Sequence, residues 1–503
     1  MSNLLIMRQL RVNKKLMWAV MIILPSLALS SMYAQEPIVL SLDKALEIAM
    51  SENPTVKVAD QEIEKKKYAK KGSYAALFPQ VNFGADYTRT LKKQVMYMDG
   101  AFDIDAMLQP AFQPIINGAD ATLAGMVPGY IPGTLQENIN ANTPKPEPTE
   151  GGNEGISVGR DNNWGLGFNA SMPLINASLW KSLKISGQDV ELAIEQARSS
   201  KIDMANQVKR SFFGVMLAND SYRVFKESYD NAIENYNDVK QKYDQGLVAE
   251  YDLIRADVSV RNVEPNMLQA ENAVSLAKWQ LKALLGMDLE LPIECEGMLA
   301  DFQSELFSDY LAVDTALSNN SALRQLDIQA EQLKNTIQLQ KYDYLPTLNV
   351  SASYTWSAMN NDFKIKDYQW NPYSMVTLSL SIPIFSGGKR LNTIKQSQVT
   401  MSQLHLQRDD LHRNLQLATK QYMDNMNTSL KRYDAAQKGV EQAERGQMIA
   451  QKRYETGAGT LLELNDAELA LTQSKLNFNQ AIYDYMVAKS DLEKTLGKAP
   501  QTY

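Results

Sequence analysis

Cysteine occurs once in the 503 residues, as Cys295, so no disulfide can form within the chain and no paired-cysteine metal or redox motif exists. Histidine occurs twice, and His405 and His412 are spaced two helical turns apart, where a helical metal pair sits one turn apart. Basic side chains do not dominate: 51 stand against 58 acidic ones, net −7, which excludes the basic surface of a nucleic-acid binder. Past residue 34 no apolar run reaches the roughly 18 residues of a spanning helix, which leaves a soluble protein or a β-barrel, whose strands alternate. Catalytic groupings are also missing. Cys295, in the linker Pro-Ile-Glu-Cys-Glu-Gly, has no histidine near it in sequence and reads as a structural thiol. Phe385-Ser-Gly-Gly-Lys-Arg390 lacks the spacing of a phosphate loop, and Gly165 and Gly167 read as strand glycines. With 44% hydrophobic and 22% charged residues, the chain is nonetheless an ordinary folded one.

The first 34 residues read as an export signal. Arg8, Arg11, Lys14 and Lys15 precede the apolar stretch Leu16–Ala28, and small and polar residues follow. The apolar core is shorter than the ~20 residues of a membrane span. Cleavage after Ala34 or after Ser30 fits the small-residue end, and no cysteine follows to carry a lipid. Loss of this segment removes basic groups only, so the mature chain is more acidic still.

Beyond the signal the chain reads as a tandem duplication, 35–295 and 296–503. Ala49-Met50-Ser51-Glu52-Asn53-Pro54 aligns with Ala316-Leu317-Ser318-Asn319-Asn320-Ser321, and the same spacing places Pro79 on Pro346 and Tyr87-Thr88 on Tyr354-Thr355. Later the spacing shortens, so that Ser171-Met172-Pro173 falls on Ser381-Ile382-Pro383, Gly246 on Gly457, and Leu285-Gly286 on Leu496-Gly497. Each half is expected to run short helix, helix, strand, loop, strand, long helix, turn, helix. The shortening assigns the first half an insertion within 89–163, whose Pro128-Gly129, Pro132-Gly133 and Pro-rich 143–152 predict a long surface loop.

Four segments alternate with period two, at about 80–88, 164–172, 347–356 and 375–382. Val81, Phe83, Ala85 and Tyr87 share one face in the first, and Leu348, Val350, Ala352, Tyr354 and Trp356 in the third. The opposite faces are small and polar, as a water-filled lumen requires. Four strands close no barrel, and an open edge is not tolerated in lipid, so several chains must share one. Two chains would give a filled eight-stranded barrel; three would give twelve strands and a pore.

Long helices account for most of the rest, at 178–245, 247–285, 390–456 and 460–496. Stepping by four and three from Leu183 to Tyr243 meets 15 apolar positions of 18, against about eight expected from composition, a heptad-type seam. The matching seam from Ile394 to Tyr454 holds 11 of 18 and includes both histidines, predicting a packing or lumen-lining role for them.

Taken together these parts resemble the TolC family of outer-membrane efflux proteins over about 38–498. The resemblance rests on Leu42, Ala45, Leu46, Ala49, Asn53 and Pro54, on the strand-opening Pro79 and Pro346, and on two turn motifs, Lys242–Leu253 and Arg453–Leu464. Glycines at matching helix ends suit the left-handed conformation. The family implies a mixed α and β membrane protein, a homotrimer whose twelve-stranded barrel, four strands per chain, continues into a coiled-coil periplasmic tunnel. It implies a passive exit duct in the outer-membrane lipid, working with a periplasmic adaptor and an inner-membrane pump of RND, ABC or MFS type, and no cofactor. By the same resemblance Gly246, Leu247, Val248, Gly457, Ala458 and Gly459 form the adaptor-contacting tip, and Asp252, Tyr454, Glu463 and Asp466 the periplasmic entrance and gate. Rings of carboxylates there predict a cation-preferring entrance that multivalent cations block. One departure is Gly459, where the best-known members carry an arginine, so a carboxylate–arginine latch between neighbouring coils is missing. The competing reading is a periplasmic coiled-coil adaptor or scaffold without a barrel, which four paired alternating strands disfavour. An outer-membrane enzyme finds no support in the residues. Drug efflux, metal efflux and type I protein secretion all remain open as cargo classes.

Overall fold

A computed structural model describes residues 37–96, 104–142, 156–306 and 315–498, so the expected signal segment lies outside the described residues. The chain divides into a helical unit (1–75, 177–345 and 383–503) and a strand unit (76–176 and 346–382).

The helical unit is built on two long antiparallel hairpins. It opens with β1 (Ile38–Leu40), α1 (Leu42–Glu52) and α2 (Pro54–Ala75). The first hairpin is α5 (Ala177–Asp244) with α6 (Glu250–Leu285); α3 (Ile104–Met126) and α4 (Thr134–Asn142) belong to the strand unit. β6 (Ile293–Cys295) and α7 (Ser321–Tyr342) follow, and α8 (Lys389–Glu455) with α9 (Leu461–Thr495) makes the second hairpin. At 68 residues and ~1.5 Å per residue, α5 is on the order of 100 Å long. No proline interrupts α5, whereas α6 continues unbroken through Pro265.

The seam of α5 reaches the core at Leu183, Met204, Val208, Val215 and Val239, but Ile194 stands 48% exposed. Near its middle α5 is packed on several faces, so the adjacent Phe212 and Phe213 are both buried against Leu281 and Leu285 of α6, Tyr485 of α9 and Leu40 of β1. A single heptad stripe therefore underestimates this core. On α8 the relation is stricter: Ile394, Thr419, Met426, Ser429 and Tyr433, the residues buried on it, all lie on the expected seam. His412 is half-buried and His405 is exposed beside Arg408 and Asp327.

The expected linker around Cys295 is instead a strand. Ile293, Glu294 and Cys295 pair in parallel with Ile38, Val39 and Leu40, because Ile293 and Leu40 both enter the core. Burial pushes the Cys295 thiol up to about 12, so it is inert at neutral pH.

One junction occurs twice. The Asn53 carboxamide accepts from Thr55 N–H at the start of α2 (2.7 Å) and donates to the Leu284 carbonyl ending α6 (2.7 Å). Asn320 accepts from Ala322 and Leu323 N–H at the start of α7 and donates to the Thr495 carbonyl ending α9 (2.8 Å). Gly286 and Gly497 follow those carbonyls with φ of 74° and 70°, each against the backbone of the opposite helix junction, at Glu52 and Asn319. Asn320→Ala leaves a buried carbonyl and two cap N–H groups unpaired. It is expected to destabilise the chain by about 2 kcal/mol in chemical denaturation. Asn320→Asp, which restores the acceptor alone, should recover part of that loss.

In the strand unit one antiparallel sheet runs in the order β2 (Gln80–Arg89), β5 (Asn162–Ile175), β7 (Thr347–Asn360) and β8 (Asn371–Ser381). β2, β5 and β7 run past the predicted ends, whereas β8 starts four residues earlier and ends one residue earlier than predicted, with Pro372 tolerated because the strand is an edge. Register aligns the alternation across the sheet. Phe83 faces Phe168, which faces Tyr354; Val350 faces Leu378. On the other face Asn82 meets Asn169, which meets Ser353, and Asn349 meets Ser379. Gly167 belongs to this small-residue face, where a Cβ would fall 2.7 Å from the Tyr354 carbonyl. Both outer strands are exposed along their length.

The described parts of the insertion are more ordered than the surface loop expected from its prolines, and the Pro-rich 143–152 lies outside the described residues. The β2–β5 hairpin continues as a two-stranded ribbon, β3 (Gln94–Met96) with β4 (Ile156–Val158), which frames α3 (Ile104–Met126) and α4 (Thr134–Asn142). Gly129 and Gly133 take positive φ in the turn between these helices. Asp120 organises that turn by accepting from the Tyr130 hydroxyl and from Gly133 and Leu135 N–H.

Candidate gate and docking tip

Both long helices that lead into the two turn motifs end in the same way. At the end of α5, Gly246 N–H bonds the Tyr243 carbonyl and Leu247 N–H the Lys242 carbonyl, both at 2.8 Å. At the end of α8, Gly457 N–H bonds the Tyr454 carbonyl (3.1 Å) and Ala458 N–H the Arg453 carbonyl (2.8 Å). Gly246 (φ 74°) and Gly457 (φ 72°) supply the left-handed residue that this reversal requires. Leu247 is exposed, as are Gly246, Gly457 and Ala458, while Val248 turns inward.

The turns then start their second helices differently. Thr460 caps α9 through Glu463 N–H (3.2 Å), and the Glu463 carboxylate accepts from Thr460 N–H (3.4 Å). Ala249 begins α6 without a side-chain cap, although Glu250 and Asp252 place acidic groups in its first turn.

A small core joins the two motifs. Val239 of α5, Ala256 of α6 and Leu461 of α9 are buried together, and Tyr236, Val248, Leu253 and Tyr454 pack around them. Tyr454 thus belongs to both motifs at once. Burial raises its hydroxyl pKa, Lys242 opposes that rise, and Asp238 and Asp252 add to it. The Lys242 ammonium lies 4.7 Å from the centre of the Tyr454 ring and 2.7 Å from Asp238. Its hydrogen bond to Asp238 is the main reason that its own pKa is raised.

Of the expected acidic residues, the structure brings Asp252 beside Tyr454 and commits Glu463 to its own turn. Arg453 reaches over that turn to Glu463 (3.5 Å) and donates to the Ala458 carbonyl (3.2 Å). Gly459 is what leaves room: a Cβ there would meet the Arg453 Cβ at 3.0 Å and a Glu463 oxygen at 3.2 Å. Asp466 stands exposed with no hydrogen bond or ion pair among the described residues. Sequence reasoning missed Arg453 and Lys242. Each lies next to a gate or turn residue, but only the reversed chain brings Arg453 to Glu463, ten positions on.

Sequence reasoning also missed Glu468, two turns into α9. Burial raises its pKa, the Asn235 side chain of α5 donates to it at 3.0 Å and opposes the rise, and Glu234 adds to it. Beside it Lys475 holds Glu227 at 2.9 Å, so both contacts tie α9 to α5. A raised native pKa means that the folded state binds the proton more tightly. The stability linked to it is present at low pH and lost as pH rises through that pKa. Glu468→Gln keeps the acceptor for Asn235 and removes the buried charge. It is expected to raise the thermal midpoint at pH 7 by a few degrees and to change it little at about pH 3, below the ordinary glutamate pKa, as differential scanning calorimetry would read.

Comparison with known proteins agrees with this architecture. The family described as outer membrane efflux protein matches residues 137–287 and 312–498. Outer membrane protein TolC of Vibrio cholerae is 21% identical over 335 residues, covering 66% of this chain and 76% of that protein. Alkaline protease secretion protein AprF of Pseudomonas aeruginosa is 24% identical over 300 residues, 59% of this chain and 62% of its own length. Among solved structures, the Campylobacter jejuni CmeC outer membrane channel aligns with a TM-score of 0.65 at 16% identity, over 91% of this chain and 85% of that one.

Proposed function

The chain belongs to the outer membrane efflux protein family, and from that premise we propose that it is the passive exit duct of a three-part export machine, with a periplasmic adaptor and an inner-membrane pump as its partners. The observation that carries the membrane part is the sheet. Its apolar residues stand in register on one face across all four strands, its small polar residues share the other, and β2 and β8 are its outer strands, each with a neighbouring strand on one side only among the described residues. Such a sheet is stable in lipid only when copies of the chain pair β2 with β8 around a ring. Three copies give twelve strands around a water-filled lumen, with the helical hairpins as a periplasmic tunnel. The twice-used asparagine junction supports a tandem duplication behind this arrangement.

At the other end of the hairpins the exposed Gly246-Leu247 and Gly457-Ala458 turns are the surface that meets the adaptor, and Tyr454 with Asp252, Glu463 and Asp466 is the gate. Cargo is the pump's choice. One relative is named for protease secretion, and an RND, ABC or MFS pump fits the same duct. The test is single-channel conductance of the purified mature protein in a planar bilayer. Steady cation-selective openings from a trimer are expected, and a soluble monomer that never inserts would overturn the reading.

A further inference from the structure

The cations of this acidic chain are not evenly spread. Residues 65–75, 177–188, 334–345 and 383–398 hold twelve lysines and arginines and one carboxylate, Asp343, against 51 and 58 in the whole chain. These are the four stretches of the helical unit from which the chain leaves for, or returns from, the strands of the sheet. Side-chain contacts bring them to one end of that unit. The Ser73 and Ser186 hydroxyls bond at 2.9 Å, joining α2 to α5, and the Lys70 ammonium lies against Gly187. Ser178 donates to Asp343 at 2.7 Å, joining α5 to the end of α7. Gln340 donates to Ser397 at 2.8 Å, and the Arg390 guanidinium lies 5.4 Å from the centre of the Tyr344 ring, joining α7 to α8.

Charge here is largely uncompensated. Lys65 and Lys66 share Glu62, and Lys334 has Glu331. Lys67, Lys70, Lys71, Lys181, Lys184 and Lys389 have no carboxylate within ion-pair distance among the described residues. Like charges gathered at one end repel one another, and Asp343 is the single acid within these four stretches to offset them. Amphipathic aromatic residues accompany them: Trp180 and Tyr344 are exposed, and Phe385 is 87% exposed. Lysine with tryptophan and tyrosine is the chemistry of a membrane–water interface, where rings sit at headgroup depth and ammonium groups reach phosphates.

We propose that this end of the helical unit is a cationic collar that seats on the anionic headgroups of the leaflet facing the helices. The collar recognises phospholipid phosphate, with the lysines of α2 and α5 carrying the charge and Trp180, Tyr344 and Phe385 entering the headgroup layer. The inference rests on the channel reading, since only a chain whose strands span a bilayer brings this end to a leaflet. It adds a lipid preference to that reading and fixes the height at which the channel sits.

The test is native mass spectrometry of the mature protein reconstituted in an equimolar mixture of phosphatidylglycerol and phosphatidylcholine, with conductance measured on the same preparations. The protein is expected to retain phosphatidylglycerol over phosphatidylcholine by about tenfold, less at high salt. A variant combining Lys67→Gln, Lys70→Gln, Lys71→Gln, Lys181→Gln and Lys184→Gln should still insert and conduct but retain the two lipids about equally. Replacing Lys226, Lys240, Lys431 and Lys438, which lie elsewhere on α5 and α8, with glutamine should leave the preference intact. The inference is overturned if the collar variant keeps the preference. It is equally overturned if that variant changes ion selectivity while the lipid ratio stays put, because the lysines would then face the lumen. A chain that enters no bilayer overturns the channel reading, and this inference with it.

Discussion

A chain carrying Phe168→Arg and Leu378→Arg is expected to be exported and to fold its helical unit, yet to be absent from the outer-membrane fraction. Both residues lie on the apolar face inside their strands, Phe168 at the middle of β5, and Leu378 is 64% exposed in the single chain. An arginine on the lipid face near the bilayer midplane costs about 2–4 kcal/mol, and two per chain are repeated in every copy of the ring. Six arginines in a ring of three chains cost about 12–24 kcal/mol, which matches or exceeds the roughly 5–15 kcal/mol by which folded domains are stable. The control moves each charge by one position. Asn169→Arg and Ser379→Arg put the same arginines on the opposite face, where water takes the place of lipid, and should insert normally. Membrane floatation and the yield of trimer read both outcomes. Equal insertion of the two double variants would show that the apolar face does not meet lipid.

The contrast between those pairs depends on register, which the alternation in sequence could supply for each strand but not between strands. The faces of β2, β5, β7 and β8 were legible because Val81 to Tyr87 and Leu348 to Trp356 alternate without interruption. Which strand neighbours which was not, since nothing local sets β5 beside β7. The insertion misled for a physical reason. Its Pro-Gly pairs do make the expected turns, at Gly129 and Gly133, but they say nothing of the helix before them, α3, which runs through Pro110 and Pro114. On α8 the seam was legible although thin, because its buried polar members, Thr419 and Ser429, count against an apolar tally while still facing inward. At the tip the turn glycines were legible from their matching helix ends, while the acidic residues entered only through the family resemblance. Their partners were not legible: Arg453 meets Glu463, and Lys242 meets Tyr454, only through the reversed chain and the packing of one hairpin on the other.

Those partners change the expected weight of each carboxylate at the proposed gate. Removing Asp466 is expected to lower cation selectivity more than removing Glu463. Both acids are close in sequence, yet Arg453 lies 3.5 Å from Glu463 and places a positive charge beside it, whereas Asp466 has no cation near enough to pair among the described residues. An exposed pair of this kind contributes only about 0–1 kcal/mol to stability, but it cancels much of the field that a permeating ion would feel. Asp466→Asn should therefore reduce the cation-to-anion permeability ratio several-fold, and Glu463→Gln, which preserves the cap on Thr460, should reduce it less. Arg453→Gln should raise the ratio by unmasking Glu463. Gly459→Arg tests the same geometry from the other side. Its Cβ would crowd the Arg453 Cβ at 3.0 Å, so the new arginine displaces Arg453 from Glu463 instead of adding a second clasp. Reversal potentials in a salt gradient across a planar bilayer measure all four variants. If Glu463→Gln proved the more damaging of the two acid replacements, Arg453 would not be masking Glu463 in the assembled channel. The tip would then have to be clasped by a contact between chains.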